Sequence, residues 1–447
     1  MMDHQSNLAA KSNDGTNHAD LLILGAGAAG MMAAVACAEY RQKCNLPPRR
    51  IVVLEKNPRA GIKVLVCGGG RCNLTNAGDR QFLITQFGRN GRFLAPALHH
   101  LDNDGLRAWF TAQGVPTHEE HDGKIYPDSN QASSVVNALL AAMLRLDVQV
   151  QAGAAHAAAV VQRDAATDEF LIDTVGGIHW RATALLIAVG GQSYTRMGTT
   201  GDGYRFAEAL GHVVVTPRPA IVPLLCKQAW VCELQGLAVP DVEVRIEAPG
   251  PLPRLATGKP MPSVNDLLFT HFGLSGPAVL NVSEIIAELL EKFSDMTLRI
   301  DFVRHQTREQ LADRMRHWRD AHGRKLVRTM LGEWVPQRLA DMFCRLAGVE
   351  ESQICSQVAA QHIHALLELI KTCRVTVYAT RGFKEAMVTA GGVRLDQVNP
   401  QTMESRNCPR LFLAGEVLDL TGPSGGYNLQ LAFSTGHLAG QSAAQIL

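Results

Sequence analysis

The sequence predicts an α/β chain in which one parallel-sheet domain is built from both chain ends around an inserted β-barrel-like and helical middle. Three observations predict it. An apolar run at 21–24 leads through a glycine turn into a helix-forming segment at 31–44. A second short apolar run at 410–413 leads through glycines into helical sequence at 429–446. Between them, strand-like runs alternate with helical sequence and no second glycine fingerprint opens a βαβ unit.

The first element is the most informative. Gly25-Ala26-Gly27-Ala28-Ala29-Gly30 has the Rossmann spacing: Gly25 for the tight turn, Gly27 for close approach of the backbone to a pyrophosphate, Gly30 for packing of helix on strand. The helix start faces the phosphates with unpaired amides and the positive end of its dipole. Pro47 and Pro48 then break the chain before the strand at 51–54, which ends in Glu55. A carboxylate there is placed to accept hydrogen bonds from a ribose diol.

The segment after this strand favours a flavin over a nicotinamide. Lys56 and Lys63 flank a loop, and Gly68-Gly69-Gly70-Arg71-Cys72-Asn73-Leu74-Thr75-Asn76 combines a run of three glycines with Arg71 for phosphate and Asn73 and Thr75 for directional hydrogen bonds. The strand-like run at 185–189 ends in Gly190-Gly191. At the far end, Gly415-Glu416 and Asp419 precede Gly425-Gly426-Tyr427-Asn428, whose helix start would aim amides at the flavin pyrimidine edge, where reduction deposits negative charge.

In the middle, strands are expected at 213–225, 242–247, 267–270, 296–302 and 374–379. Thr307 with Gln310 reads as a capping box opening a helix at 308–319, and apolar positions recur through 326–346. The expected division is a flexible tail at 1–19, a FAD-binding domain at 20–193 resumed at 383–447, and an insert at 194–382 with a helical part at about 305–370.

Bulk properties limit the function classes. The 447 residues exceed a single core. Lys and Arg number 43 against 42 Asp and Glu, so no strong field for polyanions is expected and nucleic acid is not the expected partner. Ten irregularly placed cysteines fit a reducing cytoplasm rather than a secreted disulfide framework. The uncharged stretch 21–38 has glycines that suit strand, turn and helix better than a membrane span. His99-His100 and His118 with His121 lack a third ligand at a useful spacing, so no metal is expected.

The chain resembles a bacterial flavoprotein family of two-dinucleotide-fold type, described as NAD(P)/FAD-dependent or aminoacetone-oxidase-like and including a dehydro-bile-acid reductase. The matching segments are the turn at 25–30, GGGRCNLTN at 68–76, LLFTHFGLSGPAVL at 267–280, AMVTAGGV at 386–393 and LAGEVLDLTGPSGGYNLQLAFSTG at 413–436. The resemblance implies a FAD-dependent oxidoreductase, with FAD contacts at Ala28, Ala29, Glu55, Lys63, Arg71, Cys72, Asn73, Ala154, Glu416, Asp419 and 425–428. Two departures stand out: Cys67 where the family has a small hydroxyl residue, and Pro423 where it has an aromatic.

The chemistry expected is hydride transfer between flavin and a small organic substrate held between the FAD domain and the insert, with NAD(P)H visiting transiently as donor. His271 is the candidate proton donor, since imidazole titrates near neutrality, and a structural histidine is the alternative. Cys67 and Cys72 enclose four residues, the spacing of a redox-active disulfide, although the glycines and Arg71 between them suit a phosphate loop better. A non-enzymatic flavin sensor is a further alternative, and oligomeric state is left open.

Overall fold

The computed structural model describes residues 16–120, 122–247 and 262–447. Residues 1–15 of the expected tail lie outside the described residues. The first strand, β1 (Asn17–Leu24), starts earlier than hydropathy suggests, because Asn17–Ala19 are in register with Trp180–Ala182 of the strand His179–Ile187. Backbone pairing sets that boundary, and polar Asn17 and His18 carry no apolar signal for it.

The chain divides into two units: the residues up to Pro217 with Val388–Leu447, and Arg218–Met387. Both junctions differ from the expected 194 and 382. The helix Asp202–Ala209 belongs to the first unit, where Gly203 abuts the side chains of Val189 and Val417. The second junction falls later because Met387 donates its amide to Ile221 O of the second unit, at 3.2 Å. Both shifts come from tertiary contacts that composition does not record.

In the first unit β1 pairs in parallel with β2 (Ile51–Glu55) on one side and with His179–Ile187 on the other. The strand Gln149–Ala152 extends the sheet beyond β2, also in parallel. The closing strand Leu411–Leu413 pairs with Leu185–Ile187. Strands buried on both faces read as continuous apolar runs, as β2 and 411–413 do.

The helix α1 (Ala28–Lys43) is buried along one continuous run, Ala28–Cys37, because the C-terminal helix Tyr427–Ile446 lies directly on it. A Cβ at Gly436 would stand 2.3 Å from Ala29 O, and one at Gly440 2.1 Å from Ala33 O. Glycine is needed at both places for the two backbones to approach this closely. The two chain ends are thereby one folding unit.

The second unit is a closed antiparallel barrel with strands in the order Leu224–Cys226, Gly273–Ser275, Ser263–Thr270, Ala238–Glu247, Met296–Asp301 and Cys373–Thr380. The expected strand at 213–225 is two strands, Val214–Ala220 and Leu224–Cys226, interrupted where Ile221 takes a positive φ of 49°. The helices Arg308–His322, Val327–Leu331, Gln337–Leu346 and Ala360–Lys371 pack on the barrel core. Thr307 and Gln310 form the capping box in full. Among the described residues no helix is long and apolar enough to cross a membrane.

Candidate functional site

The site is built in the first unit, at the carboxyl ends of β1 and β2. Gly25 has φ +96°, and a Cβ there would meet Ala188 O at 2.7 Å. At Gly30 a Cβ would be 1.9 Å from Gly25 O, so turn and helix close on each other. Gly27 is the N-cap of α1; it has no side chain to bond the first amides, the first turn has no acidic residue, and a Cβ there would meet nothing within 4 Å. The helix therefore opens with amides that no cap satisfies, next to free space, which suits an anion.

Glu55 is buried at the end of β2. Its Oε2 accepts from Ala26 N at 2.8 Å, and its Oε1 from both Asn57 N and Asn57 Nδ2, each at 2.8 Å. The carboxylate is thus held rigidly beside the glycine turn. Gly153 N donates to Glu55 O at 2.9 Å, which brings exposed Ala154 to the same strand end.

The loop 67–73 carries positive φ at Gly68, Gly69, Gly70 and also at Cys72. Asn73 is buried, and its Oδ1 has no hydrogen-bond partner. A buried acceptor left unmet costs about 1–3 kcal/mol. A ligand N–H, such as the one on an oxidised flavin's pyrimidine ring, would satisfy it.

Arg71, the cation expected at phosphate, and Lys56 are each paired with a carboxylate of the protein. Arg71 bonds Glu120 Oε1 and stacks 3.8 Å from the centre of the Tyr126 ring. Lys56 Nζ donates to Thr200 Oγ1 at 2.5 Å and to Asp202 Oδ2 at 2.6 Å. Burial pushes the Asp202 carboxyl up, but hydrogen bonds from Lys56 and Thr200 outweigh it and hold the pKa below its ordinary value. Both charges are thus balanced locally, and the uncapped amides at the start of α1 face open space.

Lys63, by contrast, joins both chain ends. Its Nζ lies 2.6 Å from Ser193 Oγ and 2.5 Å from Glu416 Oε2. Glu416 Oε1 accepts from Ser193 Oγ at 2.6 Å and from Thr389 N at 2.8 Å. Thr389 Oγ1 in turn accepts from Gln192 N, just past Gly190-Gly191. The buried Tyr204 phenol has its pKa raised by burial and by the Glu416 charge. Ser193, Thr389 and Tyr204 were not singled out from the sequence; the one signal for them is that Thr389 lies within AMVTAGGV.

The C-terminal segment closes the site. Gly415 N donates to Thr435 Oγ1 at 2.9 Å, and Asp419 N to Val393 O at 3.0 Å. Gly426, at φ +95°, caps the helix Tyr427–Ile446 without a side-chain bond, and Gly425 precedes it. The Asn428 side chain ties its own loop, accepting from Gly422 N at 2.9 Å and donating to Gly422 O at 2.8 Å. Tyr427 is buried, with its ring 6.4 Å from that of Phe82.

The remaining candidates are two cysteines of the glycine loop and a histidine of the second unit. Cys67 and Cys72 are free thiols, and Cys67 donates to Lys63 O at 3.2 Å. Burial of its sulfur pushes the Cys67 pKa up to about 11, and burial raises Cys72 as well. Neutral thiols are poor nucleophiles, which works against the disulfide chemistry. His271 belongs to the second unit. It is exposed on the turn between Ser263–Thr270 and Gly273–Ser275, with its ring edge-on to Phe272 at 4.8 Å.

The uncapped glycine turn, the rigid Glu55, the unmet Asn73 acceptor and the second glycine-led helix start fit the pyrophosphate, ribose and pyrimidine portions of FAD. Comparison with known proteins gives the family. The chain is 30% identical over 423 residues to the 3-dehydro-bile acid delta(4,6)-reductase of Clostridium scindens, covering 95% of this chain and 98% of that protein. It is 28% identical to the ribosomal RNA dihydrouridine synthase of Haemophilus influenzae, covering 96% and 100%, and 29% identical to that of Escherichia coli, covering 93% and 96%. Residues 19–442 match the family described as HI0933-like protein Rossmann domain, and the chain belongs to that family as a FAD-binding oxidoreductase.

Proposed function

We propose that the protein reduces a carbon–carbon double bond conjugated to a carbonyl, in a cyclic enone or in the pyrimidine ring of a uridine, with NAD(P)H as transient electron donor. The observation that carries this reading is the bond change shared by its relatives. A delta(4,6)-reductase of a 3-oxo compound and a dihydrouridine synthase act on unrelated molecules, yet each saturates a double bond polarised by a carbonyl.

FAD, when bound, would supply the hydride chemistry that such a bond needs at its electron-poor carbon. The chain's own residues do the rest. The amides at the start of α1 would hold the pyrophosphate, Glu55 would hold the ribose, and Asn73 Oδ1 would accept a ring N–H. Lys63, fixed by Ser193 and Glu416, places one cation at the joint of the two chain ends. His271 donates the proton that completes the reduction, so hydride plus proton add two hydrogens to the substrate as NAD(P)H is oxidised.

The test is anaerobic reduction of the purified yellow protein with NADH or NADPH, followed by a panel of oxidants. Reoxidation by cyclic enones or by uridine in RNA supports the reading. Reoxidation by disulfides alone, or flavin reduction by amines, overturns it.

A further inference from the structure

The near-zero net charge of the chain conceals a segregated one. Residues 308–328 hold seven Lys or Arg against three Asp or Glu, an excess of four where the whole 447 residues have an excess of one. This segment is the helix Arg308–His322 and the turn after it, in the helical part of the second unit. Some of its cations are answered locally: Arg308 by Glu368, Arg316 by Asp313 at 3.0 Å, Arg319 by Asp320 at 3.9 Å and Arg328 by Asp341 at 4.0 Å. Among the described residues Arg314, Arg324 and Lys325 have no carboxylate within ion-pair distance, and all three are exposed. The acidic residues nearby in the chain are exposed too: Glu309, Asp313, Asp320 and Glu333, of which Asp313 and Asp320 are paired with Arg316 and Arg319.

Two half-buried indoles accompany these cations. The Arg314 guanidinium lies 5.7 Å from the centre of the Trp334 ring, and Lys325 Nζ lies 5.7 Å from that of Trp318. The His322 ring stands edge-on to Trp318 at 4.9 Å. Trp334 Nε1 is buried without an acceptor. Cations without anionic partners, interleaved with aromatic faces, are what a strand of phosphates with unstacked bases requires: charge for the backbone and π surfaces for the bases. The neighbouring cavity of about 520 Å³ is a poorer anion site, because Glu233, Asp341, Glu350 and Glu351 line it alongside Arg328, Arg338 and Arg345.

We infer that the face formed by Arg314, Trp318, His322, Arg324, Lys325 and Trp334 binds single-stranded RNA. The inference rests on the proposed reduction of a uridine ring for the identity of the polyanion. Charge and aromatic placement alone supply the surface.

The experiment is fluorescence anisotropy of a fluorescein-labelled oligouridine with the FAD-loaded full chain, without NADPH, over a series of salt concentrations. The reference is the triple variant Arg314→Gln, Arg324→Gln, Lys325→Gln, with Trp318→Phe as a second variant that keeps the helix packed. Flavin content and enone turnover are measured on every sample. We expect the triple variant to bind roughly tenfold or more weakly, and its log–log salt slope to be shallower by about 2, since each phosphate no longer neutralised removes about 0.7 from the slope. Flavin content and enone turnover should be unchanged.

Absence of binding by the unmodified protein overturns the inference, as does equal binding by the triple variant or retention on phosphatidylglycerol vesicles in place of oligouridine. Enone turnover without RNA binding overturns this inference and leaves the reductase reading standing. Charge-dependent RNA binding without turnover of any enone or uridine does the reverse.

Discussion

Lys63 and Glu416, separated by 353 positions in sequence, form an ion pair of 2.5 Å that ties the short helix Ile62–Val66 after β2 to the segment before the C-terminal helix. Both side chains are about one-fifth exposed, and Ser193 Oγ bonds both of them. Lys63→Met leaves a partly buried carboxylate with less than its full set of donors, and should cost about 1–3 kcal/mol in urea unfolding. The double variant with Glu416→Gln should cost less than the two single losses added together. Strict additivity in this cycle would show that the pair does not couple the chain ends.

Close helix packing gives a second expectation. Gly440→Ala puts a methyl 2.1 Å from Ala33 O, so α1 and the C-terminal helix must separate. A loss of about 1–3 kcal/mol is expected, read as a fall in Tm, with exposed Gln445→Ala as an unaffected control. An unchanged Tm in Gly440→Ala would contradict this close approach of the two helices.

Glu55 should decide cofactor retention. Glu55→Ala strands the Ala26 and Asn57 amides and removes the ribose acceptor, so the variant should purify colourless while the unmodified protein releases FAD on acid treatment. Recovery of FMN alone from the unmodified protein would contradict the assignment.

The Cys67 thiol gives a pH signature. Its pKa is raised from 9.0 to about 11 by burial, so its contribution to stability is whole below pH 9 and is lost as pH rises through about 11. Ultraviolet titration should find no Cys67 thiolate at pH 8, and Cys67→Ser should retain flavin and turnover. A charge-transfer band near neutrality that disappears in Cys67→Ser would instead establish a redox pair with Cys72.

For His271→Gln we expect substrate reduction to fall by about a hundredfold while flavin reduction by NAD(P)H is nearly unchanged. Stopped-flow measurement of the two half-reactions separates the outcomes. Equal loss in both indicates a structural role, and no loss in either removes His271 from the chemistry.

Much of the site was legible because its chemistry is local. The spacing Gly25, Gly27, Gly30 and a carboxylate at the end of the next strand encode a turn, an uncapped helix start and a held acceptor within one βαβ unit. The capping box at Thr307 was readable for the same reason, since its partners are three residues apart. The features that were not legible depend on partners far away. Arg71 reads as a free cation for phosphate, and its pairing with Glu120 is invisible in the sequence, as is that of Lys56 with Asp202. The segregated charge at 308–328 was hidden by summing over the whole chain.

By itself, then, the sequence determined the order of elements, the glycine turn and the pairing of both ends in one domain, because helix and strand periods and glycine dihedrals act over a few residues. Only the tertiary structure decided where the insert begins and ends, which cations are already neutralised, and that Ser193 and Thr389 complete the Lys63–Glu416 link. Burial and charge pairing are properties of groups brought together in space, and their partners lie up to hundreds of residues apart in the chain.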